Sequence, residues 1–289
     1  MINKAPFLNG LLPFSKDLSK PFYEVWYVIL VDPLKQESCW IRLSLLRPKK
    51  DPSKLIPRLY FAFRTLEEPK INLEWIETFS EGALSIQKDP FSIRIHDLTL
   101  TPEGLKGSLA TLKGPVRLNL NFNPKALNHG YLPSFLAQSL EKRSRVFIPY
   151  PILAIQGEIE ILGHSKQYSN ALGHLAHHFG SRQIYGWDWL HGLGFEGHPT
   201  SALEILAPLL GPTIPRLAFI NFYHEGGWMK RAGLLRGLLA SVHGGLGCWH
   251  FKGYGIEVAV RAPMGSLVVF PYEAPQGGYS YCINSQQAD

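Results

Sequence analysis

Phe22-Tyr23-Glu24-Val25-Trp26-Tyr27-Val28-Ile29-Leu30 decides the fold class. Aromatic and β-branched side chains dominate this stretch, and they favour a pleated strand over a helix. Val31-Asp32-Pro33 stops it, and Cys39 to Leu46 (CWIRLSLL) resumes the same character. The two read as a hairpin with a loop of several residues. Period-two alternation puts Glu24 and Trp26 on one face with Val28 and Leu30. On the second strand Trp40, Arg42 and Ser44 share a face. A Glu among large apolar neighbours is costly unless paired, and Arg42 is the nearest plausible partner. Two readings stay open: a structural ion pair across the hairpin, or an acid with a raised pKa facing a ligand.

Outward from this hairpin the same pattern repeats. Further strands are expected at Arg58–Arg64, Ala83–Gln87, Phe91–Ile95, Thr99–Thr101, Leu105–Leu112 and Val116–Phe122. A stretch rich in proline and basic residues from Asn123 to Pro151 reads as a connector, with a short helix around Ser134–Glu141. Strands resume at Ile152–Leu162, Gln183–Gly192, Leu217–Tyr223, Gly247–Lys252, Gly255–Ala262 and Ser266–Phe270. Helical spacing is read at Thr200–Leu210 and Trp228–Val242. The expectation is an all-β chain of two antiparallel barrel or sandwich domains, 1–150 and 151–289, with a few short helices.

Composition agrees. The 289 residues include 27 glycines and 22 prolines, high for a helical protein. At 45% hydrophobic and 18% charged, the chain can bury a core and is not a disordered polymer. No apolar run approaches the roughly 20 residues of a membrane-spanning helix. The opening residues lack the apolar stretch and small-residue cleavage site of a secretory signal. Cys39, Cys248 and Cys282 are too few and too scattered for a disulfide framework. A reducing, cytoplasmic setting is therefore expected. The formal net charge of +6 raises nucleic acid or an anionic membrane as partners. The basic clusters at Arg47–Lys50 and Lys142–Arg145 come with no nucleic-acid motif, so nucleic acid is set aside. Peripheral membrane contact stays open.

The densest chemistry lies in Gly173–Phe195, GHLAHHFGSRQIYGWDWLHGLGF. Alternation puts Tyr185, Trp187, Trp189 and His191 on one face, and Asp188 and Leu190 on the other. Two indoles and an imidazole on one face suit a flat apolar ligand, or simply fill a core. His174, His177 and His178 invite a metal, but the Glu of a zincin motif is absent, and Phe179-Gly180 suggests a loop or short turn. No metal is expected. No phosphate loop and no nucleophile elbow occur, which argues against nucleotide chemistry and covalent hydrolysis.

Three stretches resemble the two-domain lipocalin-like family that includes carotenoid 1,2-hydratase and tocopherol cyclase. They are Tyr23-Glu24-Val25-Trp26-Tyr27 with Trp40-Ile41-Arg42; His177-His178-Phe179-Gly180 with Trp187-Asp188-Trp189-Leu190-His191 and Phe195; and Pro271–Pro275 with Cys282–Ser285. Phe179 stands where the family usually has Trp, and Ala176 where it often has Gly or Asp. The resemblance implies two barrel-like domains and a ligand pocket. It implies proton transfer, hydration or cyclisation on a hydrophobic isoprenoid or polyketide, without a redox cofactor. On this reading His177 and Glu24 are the catalytic residues, approaching one pocket from two domains. Trp26, Trp40, Arg42, Trp187, Asp188, Trp189 and His191 are the ligand-binding residues. The partner is a hydrophobic small molecule, and no cofactor is expected. A non-catalytic carrier of an apolar ligand, and a purely structural scaffold, remain as alternatives.

Overall fold

The computed structural model describes residues 20–126, 129–130, 144–209, 211, 216–224, 227–232 and 239–285. Its contacts divide the chain into two units. The first comprises Met1–His129, Arg145–Ser181 and Pro275–Gly277; the second comprises Gly130–Ser144, Arg182–Ala274 and Gly278–Asp289. The division expected after residue 150 falls inside a strand, because Arg145–Ile161 and His164–Gly180 both pair within the first unit.

The strands of the first unit are β1 (Phe22–Asp32), β2 (Glu37–Arg47), β3 (Ile56–Thr65), β4 (Asn72–Thr78), β5 (Leu84–Lys88) and β6 (Phe91–Ile95). They continue with β7 (Leu98–Thr101), β8 (Gly104–Thr111) and β9 (Gly114–Ala126). After the two-residue β10 (His129–Gly130) come β11 (Arg145–Ile161) and β12 (His164–Gly180). The antiparallel sheet runs in the order β4-β3-β2-β1-β12-β11-β9-β8-β7-β6-β5. It curls so that one face gathers into a single apolar core. Trp26, Val28 and Leu30 of β1, Ile41 and Leu43 of β2, and Phe61 and Phe63 of β3 meet there with Phe91, Leu118 and Ile155. The alternate residues Tyr23 and Val25 join Leu46 and Ile56 in a smaller cluster on the opposite face.

The expected connector is shorter than its prolines suggest. Residues 123–126 belong to β9 and 145–151 to β11. Pro149 and Pro151 are accommodated where the β11–β12 register slips, between Phe147 and Tyr150 and between Tyr150 and Leu153. A residue without an N–H is tolerated in a sheet at such irregularities. The helix expected at Ser134–Glu141 lies outside the described residues.

The second unit holds β13 (Gly186–Phe195), β14 (His198–Leu209), β15 (Phe219–His224) and β16 (Gly227–Ala232) in one sheet. β17 (Ser241–Gly245), β18 (Cys248–Gly253) and β19 (Ile256–Arg261) form a second, and β20 (Leu267–Glu273) and β21 (Tyr279–Ser285) a third. Two helix expectations are overturned here. Thr200–Leu210 falls on β14, and the first part of Trp228–Val242 falls on β16. β14 is buried on both faces from Ser201 to Ile205. That erases the alternation that distinguishes a strand from a helix. Residues 233–238 lie outside the described part. The helical segments among the described residues are the 3-10 turns Glu81–Ala83 and Met264–Ser266. No described helix is long and apolar enough to cross a membrane.

Candidate functional site

β1 and β12 meet along an antiparallel seam in which Trp26 faces His177, Glu24 faces Phe179 and Val25 faces His178. The histidine cluster is therefore part of a long strand, not a loop or turn. Period two sends His177 to the core face and His174 and His178 to the other.

On the core face Glu24 Oε1 lies 2.9 Å from His177 Nε2. The His177 ring stacks on Trp26 with centroids 4.7 Å apart and planes within 7°. Phe179 follows at 5.2 Å from His177. Glu24 is 1% exposed and His177 0%. The pair sits beside the end of the seam. Tyr23 and Gly180 are its last partners, and Ser181 beyond them is exposed. Such a pair can hold a proton between carboxylate and imidazole and stabilise the imidazolium against an indole face.

Arg42 is not the partner of Glu24. The β1–β2 register pairs Arg42 with Tyr27 and Glu24 with Leu45, which puts the two charges on opposite faces of the sheet. Both expected catalytic residues also belong to the first unit, rather than reaching across from two domains. Of the expected ligand-binding residues in this unit, Trp26 shares the face of Glu24 and His177. Trp40 and Arg42 lie on the other face.

That other face carries a second polar group. The Tyr23 hydroxyl and His178 Nε2 are 2.7 Å apart. The Arg42 guanidinium lies 4.7 Å above the Tyr60 ring, and the rings of Tyr27 and His174 are 5.9 Å apart. His178 is held down to about pKa 3, first by burial, then by the Arg42 charge and by His177. His174 is also held to about 3 by burial, against a hydrogen bond to the Pro151 backbone that pulls the other way. Tyr23, Tyr27 and Tyr60 escaped the sequence reading as site residues. Their shared parity with Arg42 was the available signal.

In the second unit, β13 keeps the expected alternation. Asp188 and Leu190 stand opposite Ala207 and Ile205, on the side of the core of Leu203, Ile205, Ala207, Ile220 and Phe251. Asp188 is ion-paired to Arg216. Trp187, Trp189 and His191 turn to the other face and are half-buried. Trp187 stacks on Tyr272 with planes within 4°. Trp189 stacks on His191 at 5.8 Å and donates its indole N–H to Glu204 Oε1 at 3.2 Å. Glu204, opposite His191 in the register, is buried and was not singled out by sequence. It lies in a segment read as a helix, where its face could not be assigned.

No protein-family model and no curated protein matches the chain. Among solved structures, it is similar to a protein from Nitrosomonas europaea assigned as an AttH, with a TM-score of 0.59 at 14% identity. The match covers 96% of this chain and 94% of that one. Kievitone hydratase from Nectria haematococca gives a TM-score of 0.49 at 10% identity, over 93% and 89% of the two chains. CghA with Sch210972 gives 0.49 at 11%, over 93% and 85%. The strands and the Nitrosomonas likeness together establish an all-β, lipocalin-like fold for this chain.

Proposed function

We propose that the chain is an acid–base enzyme of the hydratase, cyclase or isomerase type acting on an apolar, unsaturated small molecule. His177 transfers the proton and Glu24 orients and charges it. The buried hydrogen bond between Glu24 and His177, with Trp26 stacked on the imidazole, carries this reading. Folding alone does not call for it, since a well-packed apolar pair often serves stability as well or better. Buried titratable pairs of this kind concentrate at functional sites. Protonating a double bond leaves a carbocation, and Trp26 beside His177 offers the π face that stabilises one. In a hydration, water then adds to the cation and returns its proton to the pair. In an isomerisation or cyclisation, a neighbouring C–H loses the proton instead.

The test does not require knowing the substrate. A small-molecule extract is incubated with the protein in D₂O, and the products are read by mass spectrometry. Solvent deuterium should enter a carbon position of at least one compound with the wild type, and not with Glu24→Gln or His177→Gln. Labelling that persists in both variants, or no labelling by the wild type, defeats the assignment. A second reading, a carrier of an apolar ligand, is favoured by the near-complete burial of the pair, which is what a structural clasp between strands requires. A ligand recovered chemically unchanged from wild type and both variants supports the carrier.

A further inference from the structure

In the second unit, the sheet of β17, β18 and β19 turns Val242, Trp249, Ile256 and Val258 to the core and a polar face outward. That face carries metal-ligand residue types within His243-Gly244-Gly245-Leu246-Gly247-Cys248-Trp249-His250. The tight turn at Leu246-Gly247 sets His243 directly opposite His250 and Gly245 opposite Cys248. His243 and Cys248 are exposed and His250 is half-buried. Among the described residues, neither His243 nor Cys248 has a side-chain hydrogen bond or ion pair. His250 Nε2 lies 3.1 Å from Glu257 Oε1, so Nδ1 is the ring nitrogen left for a metal. On its other side His250 faces Ala259, which is too small to cover the ring.

Directly opposite residues of an antiparallel ladder hold their Cβ atoms about 5 Å apart, and diagonal ones such as His243 and Cys248 about 7–8 Å. Cys248 and His250, two apart on one strand, are separated by about 7 Å. Two imidazoles and a thiol anchored at those spacings close on one ion by rotation about χ1 and χ2. On an outward face, packing does not hold these rotations in place. Thiolate with imidazole is a zinc donor set, tetrahedral in geometry. A carboxylate on the second N–H of a ligating histidine fixes its ring and tautomer, and Glu257 already stands in that place on His250. We infer that this face binds a zinc ion through His243, Cys248 and His250, with Glu257 orienting His250 and the fourth position open to water. The ion takes the place of the thiol proton, which passes to solvent. The histidines of β12 and the Glu24–His177 pair belong to the first unit, so the inference is independent of the acid–base reading.

The experiment titrates Co²⁺ into the full chain, reduced and stripped of metal by a chelator. One equivalent should raise the thiolate-to-cobalt charge-transfer band and the intense visible bands of a tetrahedral ion. Zn²⁺ should bleach both, and the competition gives its affinity. Cys248→Ser should abolish the charge-transfer band. His243→Ala and His250→Ala should each weaken zinc at least tenfold, and Glu257→Gln by about tenfold. His164→Ala, an exposed histidine of the first unit, should change nothing. A measurement on the wild type decides the matter if circular dichroism shows that a variant does not fold. Zinc should then slow alkylation of Cys248 at least tenfold and leave Cys282 unaffected, read by peptide mass spectrometry. Absence of the band, a band that survives Cys248→Ser, zinc affinity within twofold of wild type in either histidine variant, or unprotected Cys248 overturns the inference.

Discussion

Glu24 and His177 are 153 residues apart in sequence and joined by a 2.9 Å hydrogen bond in the core of the first unit. The contact exists because β1 lies beside β12. Removing one member of a buried pair leaves the other uncompensated, at a cost of about 3–5 kcal/mol. His177→Ala and Glu24→Ala should each destabilise by that order. Glu24→Leu combined with His177→Leu should recover much of the loss. Urea denaturation of the two single variants and the double one, read as a thermodynamic cycle, measures the coupling.

Acid should weaken the fold through the other face of the same strand. His174 resists protonation down to about pH 3 when folded, while an unfolded histidine takes up its proton near 6.5. Between those values the unfolded chain binds the proton and the folded chain does not. Stability is therefore full above about pH 6.5 and declines as pH falls toward 3, by at most about 1.4 kcal/mol per pH unit per histidine. His178 acts in the same direction. His174→Gln should lose roughly 2 kcal/mol less than wild type between pH 7 and pH 5, measured by denaturation midpoints at the two pH values.

Gly157 should not tolerate a side chain. It has φ +132° and sits where the β11 register shifts; a Cβ there would collide with the backbone carbonyl oxygen of Asn119 on β9. The obstacle is backbone, so no rotamer relieves it. Gly157→Ala is expected to cost about 2 kcal/mol or more, visible as a lowered thermal midpoint, whereas Gly163→Ala, with open space around its Cβ position, should cost less.

In the second unit, Trp189→Phe keeps a ring beside His191 but removes the N–H that Glu204 accepts. A hydrogen bond to a charged group contributes about 1.5–3 kcal/mol. A loss of that order is expected, and Glu204→Gln in the Trp189→Phe background should add less than it does alone.

Strand alternation made the β1–β2 hairpin and the face shared by Glu24 and Trp26 legible, because period two is written directly into the side chains. It also separated Trp187, Trp189 and His191 from Asp188. What sequence did not reveal was which distant strand lies beside β1. Proximity in the hairpin pointed Glu24 to Arg42, while the register gave these residues opposite parity. The partner came from β12, where glycines and polar residues interrupt the apolar pattern and disguise a 17-residue strand. β14 was lost for a different reason, being buried on both faces from Ser201 to Ile205.

The seam between β1 and β12 also sets a timetable for synthesis. β1 is among the first described segments to be made, yet one of its two edges waits for residues 172–180. At roughly 5–20 residues per second, that edge stays open for on the order of ten seconds, carrying tyrosine, tryptophan, valine and isoleucine. The nascent chain can build the β1–β2–β3 meander in that time but cannot close its sheet. The interval just before β12 emerges is therefore when the growing polypeptide is most exposed to pairing with the wrong strand.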